Sequence, residues 1–71
     1  MPKLHSSREI IKALESKGFD FVSQRGSHAK YQKQSRVRSF VVIVPMNKRE
    51  IPHGTFRSIV GQSGLRAKDF E

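Results

Sequence analysis

The chain has 71 residues, no Cys and three His, and its 14 Lys and Arg against six Asp and Glu give a formal net charge of +8. That length makes one domain, residues 1–71, too small for a large core or a deep substrate cavity, so chemistry belongs on its surface and large substrates suit it best. The missing Cys excludes a disulfide scaffold, a thiolate metal site and a Cys nucleophile, while the positive field points to a polyanion, nucleic acid first, as partner.

At the N-terminus, Met1-Pro2-Lys3-Leu4-His5 lacks the apolar run of a secretory signal, and the longest hydrophobic run, Phe40–Val44, is far too short to cross a bilayer. A basic surface kept for solubility or for membrane-surface attraction ranks below RNA or DNA binding, since no helical segment joins a wide apolar stripe to a uniformly basic face. The expectation is a cytoplasmic protein with no membrane partner and a frayed end around His5. Ser6-Ser7-Arg8-Glu9 has the form of a capping box, in which Ser6 and Glu9 satisfy each other's backbone donors. Ile10, Ile11 and Leu14 follow at helical spacing and Gly18 suits a left-handed end, which predicts a helix over 7–17.

Alternation and aromatic content predict a first strand over 19–24. Arg25-Gly26-Ser27 carries the turn chemistry, with Gly26 and Ser27 shaping the loop, and a second strand runs over 28–33. Period two puts His28, Lys30 and Gln32 on one face and Ala29, Tyr31 and Lys33 on the other. Beyond a polar connection, Ser39-Phe40-Val41-Val42-Ile43-Val44 is the strongest strand signal; its nearly continuous apolar run suggests a central strand, or one covered on both sides, stopped by Pro45. A basic loop holds Lys48 and Arg49. A second helix then begins around Ile51 and Pro52, carries Phe56, Ile59 and Val60 on its buried stripe, and ends at Gly61 or Gly64. A last turn docks Leu65 and Phe70 on the core. The order helix, strand, strand, strand, helix predicts an α+β fold: a three-stranded antiparallel meander with both helices on one face and the other face open.

His28 is the one histidine set in a small, hydroxyl-rich and basic context at a hairpin end. Imidazole exchanges protons near neutral pH, as RNA cleavage requires when a 2′-hydroxyl attacks its own phosphodiester. The competing reading is an ordinary polar strand residue facing solvent. Arg25, Lys30, Lys33, Arg36, Arg38, Lys48 and Arg49 cluster in the hairpin and the next two connections, where they can hold phosphates, or serve only as solvated loop charge. Tyr31 faces away from His28 and reads as core. The three scattered His lack metal-site spacing, so no metal and no cofactor are expected.

Gly26-Ser27-His28, Tyr31 three residues later, Val44-Pro45, the run Glu50-Ile51-Pro52-His53-Gly54-Thr55-Phe56-Arg57-Ser58-Ile59 and then Gly64-Leu65 together resemble the HicA (YcfA-like) toxins of toxin–antitoxin systems. The resemblance covers nearly the whole chain. It implies a double-stranded-RNA-binding-domain-like fold, a metal-independent mRNA interferase acting on RNA, and neutralisation by a HicB-like antitoxin; charge complementarity to a +8 chain predicts in addition that an acidic segment of this partner masks the active site at His28. The resemblance also implies that His28 is the catalytic histidine and Gly26 the motif glycine. Where such families carry a second histidine or basic residue soon after the first, this chain has Ala29 and then Lys30. Two other classes stand beside this reading: a non-catalytic module that binds double-stranded RNA by shape, and a DNA-binding module, disfavoured because neither helix is dense in base-reading side chains.

Overall fold

In the computed structural model, which describes residues 4–71, the capping box forms as its spacing predicts. Glu9 N–H donates to Ser6 Oγ at 3.1 Å and Ser6 N–H to Glu9 Oε1 at 2.9 Å, starting helix α1 (Ser7–Ser16). Met1, Pro2 and Lys3, part of the stretch read for a signal, lie outside the described residues. Strands β1 (Asp20–Arg25), β2 (His28–Gln34) and β3 (Ser39–Pro45) follow, then helix α2 (His53–Ser63) and a 3-10 turn (Ala67–Phe70).

The sheet is antiparallel in the order β1-β2-β3, so β2 is central and β3 is an edge. The expectation of a central or doubly covered β3 is therefore corrected. Its apolar run has two different sides: Val42 and Val44 are fully buried, while Val41 and Ile43 are 41% and 38% exposed on the bare face. The free edge is guarded instead by chemistry. Gln62 of α2 reaches across to accept from Ile43 N–H at 3.0 Å, and Pro45 has no N–H to offer.

β2 pairs with β3 from His28↔Pro45 to Gln34↔Ser39, and with β1 from Arg25↔His28 to Asp20↔Gln32. The β1 ladder slips between Phe21 and Ser23, which leaves Val22 as a bulge. Asp20 and Arg25 would fall on opposite faces under strict alternation; the extra residue brings both to the face shared by His28 and Gln32.

Both helices cover the other face, as expected. Ile10 and Leu14 of α1 and Ile59 of α2 pack with Ala29, Tyr31, Val42 and Val44, and Phe19, Ile51 and Phe70 complete the core. Leu65 packs at its margin. Helix α2 starts at His53, two residues later than its sequence pattern suggests, because Pro52 is the N-cap and disfavours helical backbone at the residue before it. Ile51 is thus a buried residue of the entering loop. Its N–H donates to the His5 carbonyl at 2.7 Å, and the His5 ring stacks on Phe56 at 4.8 Å. His5 is therefore anchored, contrary to the expected frayed end. Gly64, at φ 71°, ends α2. Among the described residues no helix is long and apolar enough to cross a membrane.

Candidate active site on the open sheet face

The β1–β2 hairpin turns on two residues, Gly26 and Ser27, closed by the Arg25↔His28 pair. Gly26 has φ 59° and Ser27 does not share the positive sign, which is the pattern of a turn whose twist suits a tight hairpin. Gln24 Nε2 donates to the Gly26 carbonyl at 3.0 Å, and Met46 N–H donates to the Ser27 carbonyl at 2.6 Å. The turn is thereby tied to the exit of β3.

His28 is exposed, and among the described residues its one side-chain hydrogen-bond contact is Ser27 Oγ, 3.5 Å from Nδ1. Two grooves converge on it. One, of about 410 Å³, lies on the bare sheet and is lined by Ser23, Arg25, His28, Lys30 and Ile43. The other, of about 460 Å³, runs between β3 and α2 and takes in Lys48 and Glu50. None of Arg25, Lys30 and Lys48 is paired with an acid among the described residues. These charges are free to meet an anion.

Lys48 owes its place to Ser7. The Ser7 hydroxyl donates to the Pro45 carbonyl at 2.5 Å and accepts from Lys48 N–H at 3.0 Å, while Ser7 N–H donates to the Lys48 carbonyl at 2.9 Å. The side chain is almost wholly buried, so those bonds have little competition from water. Nothing in the sequence marks Ser7 for this, since its neighbour Ser6 already accounts for the helix start.

The remaining predicted contacts are dispersed. Arg49 lines a separate groove with Arg8, Ile11 and Met46. Lys33 lies on the covered side of β2, its ammonium 6.0 Å from the centre of the Phe19 ring, and the Arg38 guanidinium stands 5.0 Å over Phe40. Arg36 and Arg38 sit beyond the Gln34↔Ser39 rung, six residues along β2 from His28, or about 20 Å at strand rise. Tyr31 is buried and meets Phe21 edge-on at 5.7 Å; burial, helped by Glu15, raises its phenol above the ordinary value. A cavity of about 480 Å³ lined by His5, His53, Phe56 and Phe70 does not include His28. Among the described residues no group of three or more His, Asp or Glu could hold a metal ion.

Element order, bare sheet face and unpaired basic groups around an exposed histidine define a small basic α+β domain built like a double-stranded-RNA-binding domain. Comparison with protein families makes this specific. The chain belongs to the HicA toxin family: the model described as the HicA toxin of bacterial toxin-antitoxin matches residues 7–65, a span that holds α1, the whole sheet and α2. Toxins of this kind pair with antitoxins. A search of curated proteins gave no match.

Proposed function

We propose that this toxin is a metal-independent endoribonuclease, an mRNA interferase that stops growth by cutting messages in the cytoplasm. The observation that carries the reading is the position of His28, exposed and lightly engaged where two grooves meet between Arg25, Lys30 and Lys48. His28 takes the proton from a 2′-hydroxyl, whose oxygen attacks the adjacent phosphorus. The bond from phosphorus to the 5′-oxygen breaks, that oxygen is protonated by the imidazolium or by water, and a cyclic phosphate remains. Lys30, Arg25 and Lys48 balance the charge gathering on the phosphoryl oxygens. Gly26 and Ser27 hold the hairpin so that the imidazole keeps its place. Lys33, Arg36, Arg38 and Arg49 touch only a longer RNA, away from the reacting bond.

The partner in this reading is a HicB-like antitoxin with an acidic segment laid over the His28 face, drawn there quickly by the +8 charge. Induced expression of wild type and His28→Ala, with total RNA run from both cultures, tests the assignment. Arrest with loss of mRNA is expected from wild type alone. Purified wild type should also shorten single-stranded RNA in EDTA; protein that retards the RNA and leaves it intact would make the domain an RNA-binding module instead.

A further inference from the structure

The cleft between β3 and α2 has a composition that phosphate binding does not explain. Its floor is apolar, formed by Ile43 and Ile59, and its helical wall carries Thr55, Ser58 and Gln62. Those three recur at spacings of three and four, so they stand on one face of α2, spread along about 10 Å of its axis. Thr55 and Ser58 hydroxyls make no hydrogen bond among the described residues. At about 460 Å³ the cleft lies within the range of small-ligand sites and admits one nucleoside.

Resting on the nuclease reading above, we infer that this cleft is a base-recognition subsite that takes one unpaired nucleotide next to the bond cut at His28 and prefers a keto base, uracil or guanine. The unpaired state follows from shape, because a base inside a duplex stays stacked between its neighbours and cannot reach a slot between a helix and a sheet. The preference follows from Gln62. Its Oε1 is engaged by Ile43 N–H at 3.0 Å, which fixes the amide's orientation and leaves Nε2 with two donors and no hydrogen-bond partner among the described residues. Donors at that wall match the O4 of uracil or the O6 of guanine. They oppose the amino group of cytosine or adenine, which is itself a donor. Lys48 and Glu50 belong to the loop leading into α2, hence to the Thr55 end of the cleft, away from Gln62.

The test uses His28→Ala protein and five-nucleotide RNAs that differ only as U and C, with binding measured by titration. Uracil RNA should bind about tenfold tighter, the scale of one well-placed base contact. Gln62→Glu keeps an oxygen for Ile43 N–H and turns the donor into an acceptor, so the preference should vanish or reverse. Equal binding of U and C RNA, or the same ratio in Gln62→Glu, overturns the inference. Should that variant not fold, the side-chain N–H resonances of Gln62 in unaltered protein serve as readout: they should shift with uridine 5′-monophosphate and not with the cytidine analogue, and equal response overturns the inference as well. None of these readings needs catalysis. Failure of the nuclease reading shows separately, as uncut RNA with active-site-intact protein.

Discussion

The two faces of β2 do different work with alternate residues of one segment. On the covered side Ala29 and Tyr31 are buried among Ile10, Leu14, Val42 and Val44. On the open side His28 and Lys30 stand in solvent, opposite Pro45 and Ile43. The pleat therefore fixes these exposed side chains with a rigidity supplied from behind, and leaves their own surroundings free of packing demands. A strand with this division lets stability and chemistry be altered separately, one residue apart.

The strongest test of that division compares neighbours. Tyr31→Ala should cost about 3 kcal/mol or more in denaturant unfolding, as loss of a buried aromatic does. Lys30→Ala should change stability by no more than about 0.5 kcal/mol while cutting the rate of RNA cleavage roughly tenfold through one lost phosphate contact. Similar stability losses for the two would end the comparison. A second contrast sets the helix end against the hairpin turn. Both Gly64 and Gly26 have positive φ, but a Cβ on Gly64 would lie 2.5 Å from Phe40 Cε1, whereas one on Gly26 meets nothing within 4 Å. Gly64→Ala should cost about 2–3 kcal/mol, backbone strain plus crowding, and Gly26→Ala about 1 kcal/mol from strain alone, both read by thermal unfolding.

Ser7→Ala sharpens the picture from the covered side. Removing the hydroxyl leaves the Pro45 carbonyl and Lys48 N–H without it, at about 1–2 kcal/mol, and the loosened loop should lower cleavage beyond what the stability loss explains. The smallest effect is one of pH. The Asp69 carboxyl is held below its usual value by the Arg66 backbone N–H, with Lys17 helping. A depressed folded pKa contributes stability above the unfolded value of 3.8, and that contribution disappears as pH falls through the lower folded value. Acid unfolding of Asp69→Asn, compared with wild type, should show a shallower loss of stability below that point.

Local signals carried much of this fold. The capping box of Ser6 and Glu9, the Gly26-Ser27 turn and the alternation that separates His28 from Tyr31 depend on residues a few positions apart, and each formed as read. Position within the sheet is another matter. The apolar run of β3 could not tell an edge from a centre, because Val41 and Ile43 remain apolar on the bare face. The bulge at Val22 was equally hidden, since nothing in Phe21-Val22-Ser23 departs from a regular strand. For the site, the hairpin residues and Lys48 were legible as a basic cluster around one histidine. Thr55, Ser58 and Gln62 were not, because the helix that bears them meets β3 only through tertiary packing.

The Ser7 clasp has a consequence for the order in which the fold is completed. It joins residues 38 and 41 positions apart, and the Gln62 bond to Ile43 spans a further 19. A nascent chain that has emerged only as far as β3 carries His28 but lacks the cleft between β3 and α2. Such a chain holds the groove of Ser23, Arg25, Lys30 and Ile43 around His28, and gains the second groove only after α2 has folded back over the edge of the sheet. Order of synthesis thus makes the wall of Thr55, Ser58 and Gln62 the last part of the His28 surroundings to be put in place.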